Sequence, residues 1–356
     1  MNKWIAGAFL VGVSILGGAL AGHYSVYQSK TGRHLTASLS SVTSESDFPQ
    51  AKVSFESRED PITLLFVGDI MLSRFIQTQI ERHGNDYTFP FASSSDIIAA
   101  ADISFGNLES SISDEGENRG SMYSFRANPR VIEGLTHAGF DVLSLANNHI
   151  LDWGKEALVD TISILKENNI IPIGAGTTAS DANECARITV KGTTFCFLAF
   201  TNLYPSSLAA TKNTPGISDF NLEKIKDQIA AIKSKKSTVN DNIIVISLHW
   251  GDEYQSVSNA LQQRIAHELA VAGADVIVGH HPHVPQEVEE FENENGDRGV
   301  IAYSLGNFVF DQNFSKETME GRAMEITIKN HHIDAIRYFK TPMNEFYQPR
   351  FELLYD

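Results

Sequence analysis

The sequence is poor in cysteine and in basic residues. Its 356 residues include two cysteines, and 28 Lys and Arg stand against 44 Asp and Glu, which gives a formal net charge of −16. Two cysteines cannot form a disulfide scaffold, nor can they supply the thiolate ligands of a structural zinc site or an iron–sulfur cluster. Nucleic-acid affinity comes mainly from Lys and Arg that neutralise phosphates, so the acidic composition argues against a nucleic-acid-binding protein.

The two cysteines, Cys185 and Cys196, leave two interpretations open. They pair across neighbouring strands if the compartment is oxidising, or they remain as buried thiols. The hydrophobic content of 42% is sufficient for one large buried core or for two.

The N-terminal segment is expected to insert into a membrane. Residues 1–22 carry a positive charge at Lys3, followed by an almost unbroken apolar run that is long enough to approach a full membrane span. We predict a signal anchor here, and a signal peptide cleaved after residues 19–21 is the alternative. The charge at Lys3 then places the rest of the chain outside the cytoplasm, as a single-pass cell-membrane protein or, after cleavage, a secreted one. Residues 23–60 are rich in polar residues and are predicted to form a tether.

Six apolar runs of β type each end in polar side chains. The runs are Ile62–Val67, Asp102–Phe105, Asp141–Leu145, Asn242–Leu248, Asp275–Val278 and Val300–Leu305. They are typical of strands covered on both faces, and the helical segments between them predict an α/β fold. A helix cap or a turn explains each polar end separately, whereas one site at a sheet edge explains all of them together.

The densest group of polar residues is the sequence Gly279-His280-His281-Pro282-His283. Imidazole is a common ligand for zinc, manganese and iron, and Pro282 predicts an extended conformation for His281 that places two rings on one side of a stiff loop. A surface cluster or a hydrogen-bonding group at the core edge is the alternative. Together with carboxylates and amides at the other strand ends, the cluster indicates one or two ions of Mn, Fe, Zn or Mg.

Six motifs follow these strands in a distinctive order. They are GDIML at 68–72, GNLES at 106–110, ANNHILDWG at 146–154, HWGDEY at 249–254, GHHPHV at 279–284 and SLGNFVFDQ at 304–312. The series resembles the poly-γ-glutamate capsule-biosynthesis family (CapA/PgsA type, PGA_cap domain), a branch of the calcineurin-like metallophosphoesterase fold. The resemblance covers residues 61–312 and implies a sandwich of two mixed β-sheets flanked by helices. Residues 313–356 are expected to add a C-terminal β-hairpin and a tail.

The resemblance also implies a role for each matching polar residue. The expected metal ligands are Asp69, Glu109, Asn148, His249, His281 and His283. The expected catalytic residues are His149, as acid or transition-state stabiliser, and Asp152. The residues expected to support the ligands are Asn107, Glu253, His280, Asn307 and Asp311.

One position departs from the metallophosphoesterase pattern. Those enzymes open with Asp-x-His, whereas the third position here is Met71, whose thioether is a poor ligand for a hard cation. One ligand of the first metal is therefore missing, or it comes from elsewhere, with Glu253 and Asp152 as candidates. The departure puts a full dinuclear phosphatase in doubt and leaves a mononuclear or shifted site.

Three functions remain open from the sequence. The first is an anchored, extracytoplasmic protein of poly-γ-glutamate synthesis or export, whose partners are the anionic polymer, the membrane and membrane synthase subunits. The second is a metal-dependent hydrolase of phosphoester or amide bonds, and the third is a non-catalytic module that binds polymer or a partner. Because the chain is acidic, a metal in the cleft would have to attract an anionic polymer.

Overall fold

The structure is a computed structural model, and it describes residues 60–234, 242–293 and 296–355. The predicted membrane segment, and the tether apart from its last residue, lie outside these ranges. Within them, no helix combines the length and the apolar character that crossing a membrane requires.

Two mixed β-sheets form the centre of the fold. The first contains β1 (Ile62–Ile70), β2 (Ile103–Leu108), β5 (Val142–Ser144), β6 (Ile171–Ile173), β15 (Asn307–Val309), β16 (Glu320–Lys329), β17 (His332–Pro342) and β18 (Glu352–Tyr355). The second contains β8 (Ala186–Val190), β9 (Thr193–Thr201), β11 (Asn242–His249), β12 (Val276–His280), β13 (Val288–Glu292) and β14 (Arg298–Ala302). The strand orders are β18-β17-β16-β1-β2-β5-β6, with β15 beside β1, and β13-β14-β12-β11-β9-β8.

Helices and two short strand pairs complete the fold. The helices are α1 (Arg74–Arg82), α2 (Ser95–Ala100), α3 (Ile132–Ala138), α4 (Gly154–Glu167), α5 (Ala179–Asn183), α6 (Leu222–Ser234) and α7 (Ala260–Ala272). Short 3-10 turns lie at Phe89–Phe91, Pro129–Val131, Ser206–Leu208 and Glu317–Met319. The short pairs join β3 (Ser111–Ile112) to β4 (Arg126–Ala127), and β7 (Ala175–Gly176) to β10 (Gly216–Ile217).

The alternation of side chains along β1 shows how the layers stack. Successive residues of a strand point to opposite faces of the sheet. Leu64 and Phe66 lie in a buried cluster with side chains of the second sheet, whereas Leu65 and Val67 lie in a cluster with α1, α3 and α4. A third cluster joins the outer face of the second sheet to α6 and α7. The layers are therefore helices, first sheet, second sheet and helices.

One part of the predicted fold is confirmed in the described residues: two mixed sheets are flanked by helices. The first strand continues to Ile70, beyond the predicted end at Val67, because its last residues pair with β15. Residues 313–356 hold β16 and β17, which pair as a hairpin, and a further strand, β18, stands where a tail was predicted. Cys185 and Cys196 form a disulfide at the edge of the second sheet.

Candidate metal centre

The centre begins where β1 passes under the loop that precedes β15. A Cβ atom on Gly68 would lie 1.9 Å from the carbonyl oxygen of Gly306, so only glycine allows the two backbones to approach this closely. The amide of Asp69 donates to that same carbonyl at 2.9 Å. The pairing register of β1 with β15 and with β2 also shifts next to Asp69. Asp69 is thereby held at the strand end with its carboxylate fully buried.

Two buried carboxylates share one amide donor. Asn107 Nδ2 lies 2.9 Å from Asp69 Oδ1 and 2.9 Å from Glu109 Oε1. Burial and the nearby charge of Asp69 raise the pKa of Glu109 well above its usual value. Burial opposes ionisation of Asp69 too, but hydrogen bonds from His280 and His283 hold its pKa well below the usual range. Two carboxylates this close and this deeply buried favour a bound cation.

The three histidines of β12 and its following loop reach this pair of carboxylates in different ways. His280 Nδ1 lies 3.1 Å from Asp69 Oδ1, and the backbone amide of His281 donates to Asp69 Oδ2 at 3.2 Å. His283 Nδ1 lies 3.0 Å from Asn307 Oδ1, which leaves Nε2 directed at Glu109, 4.0 Å from Oε2. Asn307 thus contacts the ring of a candidate ligand, and the supporting role predicted for it stays a prediction.

The loop conformation differs from the sequence prediction. Pro282 was predicted to hold His281 extended, but His281 has a φ of 98° and His283 a φ of 58°, both in the left-handed region. The hydrogen bond from the His281 amide to Asp69 overrides the local preference of a residue before proline. Such backbone strain in residues other than glycine is concentrated at functional sites.

His249 ends β11 and lies between two other predicted ligands. Its Nε2 lies 2.8 Å from Asn148 Oδ1, and its Nδ1 lies 3.5 Å from Glu109 Oε1. Burial, followed by the charge of His281, lowers the pKa of His249 well below its usual value. The pKa of His281 is likewise lowered by burial, to about 3. Both rings are therefore neutral near pH 7, the form in which imidazole binds a metal.

The donor atoms present fit a divalent metal. Glu109 Oε2 and His281 Nδ1 are buried and have no hydrogen-bond partner within the described residues. Ligand atoms of Asp69, Glu109 and His283 lie within 4.8 Å of one another, and so do those of Glu253, His281 and His283. Buried polar atoms without partners are costly, and coordination to a cation would satisfy them.

The group of Glu253, His281 and His283 contains a candidate for the ligand that is missing because position 71 is methionine. The Met71 sulfur accepts hydrogen bonds from the amide and the hydroxyl of Ser73, at 3.2 and 2.9 Å. Glu253 lies with two of the histidines, whereas Asp152 contacts His149. Of the two candidates for the missing ligand, Glu253 is the one within reach of the cluster.

His149 and Asp152 form a pair at the edge of the centre. His149 Nδ1 lies 2.8 Å from Asp152 Oδ2, and the same carboxylate oxygen accepts a hydrogen bond from the amide of Phe125 at 2.9 Å. The Phe125 ring covers the imidazole, with the ring centroids 4.0 Å apart. Asp152 therefore fixes the ring through Nδ1 and leaves Nε2 to exchange a proton.

Two residues have structural roles that the sequence did not reveal. Tyr204 donates its hydroxyl to the backbone carbonyl of Asn148 at 2.5 Å. Asn147, which was not assigned a role, donates to Leu108 O at 2.7 Å and accepts from the amides of His149 and Ile150 at 3.1 and 3.0 Å. It thus shapes the turn that presents Asn148 and His149.

We expect Asn147→Ala to lower the free energy of unfolding by about 3 kcal/mol, since several buried groups would lose their partner at once. Urea unfolding of the purified full-length chain measures the change. Asn168→Ala is the control, because the Asn168 side chain is exposed and donates to the carbonyl of Ile164 at a helix end; it should cost under about 0.5 kcal/mol. Equal losses in the two variants would refute the role given to Asn147.

The fold and this cluster define a class: an α/β sandwich protein with a candidate divalent-metal centre at its strand ends. The family described as "Bacterial capsule synthesis protein PGA_cap" matches residues 63–312, which is more than half of the chain. The chain belongs to this family, and the resemblance noted from the motifs is confirmed.

Two relatives agree with the family assignment. The chain is 34% identical over 265 residues to "Capsule biosynthesis protein CapA" of Bacillus anthracis, covering 72% of this chain and 62% of the relative. It is 35% identical over 261 residues to "PGA biosynthesis protein CapA" of Bacillus subtilis (strain 168), covering 72% and 66% respectively. The chain thus spans less than two thirds of the length of these relatives.

Solved structures give weaker similarities. The NAD nucleotidase of Haemophilus influenzae is 13% identical with a TM-score of 0.45, and the match covers 83% of this chain and 54% of that one. A phosphatase of Mycoplasma pneumoniae is 10% identical with a TM-score of 0.46, covering 81% and 96%. Since these TM-scores lie below 0.5, the family assignment rests on the sequence relatives.

Proposed function

We propose that the chain is a divalent-metal-dependent protein of poly-γ-glutamate capsule synthesis or export, anchored by residues 1–22 and acting outside the cytoplasm. The observation that supports this most strongly is the meeting of the family motifs in one buried cluster. Four separate motifs contribute to it: ligand atoms of Asp69, Glu109 and His283 lie within 4.8 Å of one another, and His249 Nδ1 lies 3.5 Å from Glu109 Oε1. The relatives named for capsule and PGA biosynthesis support the choice of polymer.

The proposed ligands of the ion or ions are Asp69, Glu109, Asn148, His249, His281 and His283, with Glu253 in the place left by Met71. A divalent ion bound there would supply Lewis acidity and would activate water near neutral pH. The metal could be Mn, Fe, Zn or Mg, because the donors are oxygen and nitrogen atoms without a thiolate.

The other polar residues of the site would then position the ligands and transfer a proton. Asn107 holds the two carboxylates through one amide group, and Asn307 orients His283. His149, fixed by Asp152 through Nδ1, would deliver a proton from Nε2 to a leaving group, and Phe125 would shield that transfer from water. His280 would hold Asp69 in its charged form through the contact to Nδ1.

A second candidate function is a metal-dependent hydrolase of phosphoester or amide bonds with no role in capsule synthesis. The pairing of His149 with Asp152 favours it, since a module that only binds polymer needs no oriented acid. Purified chain loaded with metal and assayed on phosphoester and γ-glutamyl substrates separates hydrolysis from binding alone.

The capsule function is tested in a strain that makes poly-γ-glutamate and lacks its own family member. The wild-type gene should restore polymer output, and the double variant His281→Ala, His283→Ala should not. The control is His267→Ala, whose ring lies on the surface against Glu289. Equal output from wild type and double variant at equal protein level would refute the proposal. Amino-terminal sequencing of the protein decides the anchor, because a chain that begins near Gly22 would mean cleavage.

A further inference from the structure

Arg74 has a position that its sequence context does not predict. It is the first residue of α1, and its φ of 53° lies in the left-handed region, which costs a residue other than glycine about 1–3 kcal/mol. Its Nε lies 3.2 Å from Asp311 Oδ2, and Asp311 has a fully buried side chain. The same oxygen accepts the amide of Phe75 at 3.0 Å. Asp311, predicted to support the metal ligands, therefore holds Arg74 in this strained conformation.

The guanidinium lies over the same aromatic ring, Phe125, that packs against His149. Arg74 Cζ lies 5.4 Å from the centroid of the Phe125 ring, and the His149 ring lies 4.0 Å from the same centroid. The distance from Arg74 Cζ to the centroid of the His149 ring therefore cannot exceed the sum of these two distances. The Arg74 side chain is 36% exposed. In the ranges that the structure describes, its two terminal nitrogens donate no hydrogen bond to the protein.

Neighbouring arginines are occupied by the protein itself. Arg126 Cζ lies 3.5 Å from the centroid of the Trp153 ring, and Arg119 lies 3.4 Å from Glu156. Arg74, in contrast, contacts Asp311 through Nε. Within the described residues its two terminal nitrogens donate no hydrogen bond, so the edge of the guanidinium that carries them remains available. That edge matches the two oxygens of a carboxylate or a phosphate in a bidentate geometry.

We propose that Arg74 binds an anionic group of the substrate, a carboxylate or a phosphate, beside the metal centre. The proposal rests on the proposed function, in which the substrate is anionic. A chain with a net charge of −16 repels such a substrate at long range, so a cation held at the site is needed for binding. Asp311 positions this cation, and the strain at Arg74 is the cost of aiming it at the site.

The test is calorimetric binding of two probes to the full-length chain loaded with Mn²⁺: a γ-linked glutamate trimer for the carboxylate and inorganic phosphate for the phosphate. The variant Arg74→Gly removes the guanidinium, and glycine accepts a φ of 53° without strain. We expect its affinity for one of the probes to fall about 10- to 100-fold, the loss typical of a charged hydrogen-bonded pair. Arg74→Lys should recover part of the affinity, because lysine keeps the positive charge but lacks the paired N–H donors of the guanidinium.

The control is Arg119→Ala, which removes a positive charge that is already paired with Glu156 and should leave both affinities unchanged. A selective loss for the trimer assigns Arg74 to a polymer carboxylate, and a selective loss for phosphate assigns it to a phosphoester. If Arg74→Gly bound both probes with wild-type affinity, the inference about Arg74 would be wrong and the proposed function would stand. Loss of Mn²⁺ binding in that variant would also overturn the inference, because Arg74 would then be structural. A wild-type chain that binds Mn²⁺ but neither probe would overturn the proposed function as well.

Discussion

His283→Ala is expected to weaken divalent-metal binding more than 100-fold. His283 belongs to both groups of converging ligand atoms, one with Asp69 and Glu109 and the other with Glu253 and His281. Replacing His283 therefore removes one ligand from each of these two groups, whether the protein binds one ion or two. Replacing a residue that only supports a ligand typically costs about 10–100-fold in metal affinity, so the loss of a shared ligand should exceed that range. Titration of the full-length chain with Mn²⁺ by calorimetry measures the effect.

The matched control for this experiment is His267→Ala. The His267 side chain is 52% exposed and contacts Glu289 at 2.9 Å, on a helix that carries no candidate ligand. Its loss should leave Mn²⁺ affinity within about twofold of the wild type, since surface substitutions change little. If His283→Ala bound Mn²⁺ as well as His267→Ala does, the ligand set centred on His283 would be wrong.

Gly279→Ala should lower the free energy of unfolding by about 3 kcal/mol or more. An added Cβ would lie 1.9 Å from Tyr303 O and 2.5 Å from Trp250 Nε1. These two groups are hydrogen-bonded to each other at 2.9 Å, and both side chains are fully buried. β12 would have to move away from β14, and the histidine loop would move with it.

Urea unfolding compares this variant with Gly120→Ala. Gly120 has a φ of 86° and nothing within 4 Å of the position of a Cβ, so its substitution carries only the backbone cost of about 1–2 kcal/mol. A Gly279→Ala protein as stable as Gly120→Ala would show that the close approach of β12 to Tyr303 is not required.

The strands were predictable because their signal is local. Five of the six apolar runs became central strands of the two sheets within a few residues of the predicted bounds, since burial on both faces demands an unbroken apolar sequence. The sixth, Val300–Leu305, becomes β14 only as far as Ala302. Beyond it the chain turns, and Leu305 donates its amide to Gly279 across the strand ends. The edge strand β13 was missed because its acidic sequence resembles a polar loop.

The geometry of the site was less predictable, because its contacts join distant parts of the chain. The contact between His280 and Asp69 spans 211 residues, and the hydrogen bond from the Phe75 amide to the Asp311 carboxylate spans 236. No local pattern encodes them. Residue types at the strand ends predicted which side chains come together, but not that His281 would adopt a positive φ before a proline. The amide of His281, in that conformation, donates to Asp69, a residue 212 positions away in the chain.

The adjacent residues Asn147 and Asn148 show that the sequence also leaves side-chain direction within one turn undetermined. Asn147 is fully buried and binds the backbone around it, whereas the next residue, Asn148, directs its side-chain oxygen at His249. Both have the same donor and acceptor groups, so the sequence alone could not show which of them faces the centre.

X-ray absorption of the full-length chain, saturated with Zn²⁺ and freed of excess ion, tests the central claim most directly, because it reports the atoms bound to the metal. The account predicts a first shell of nitrogen and oxygen atoms at about 2.0–2.2 Å, with the outer scattering of two or three imidazole rings and no sulfur. A spectrum without imidazole scattering, or one that requires a sulfur ligand from Met71, would contradict the assignment of the histidine loop as a metal site.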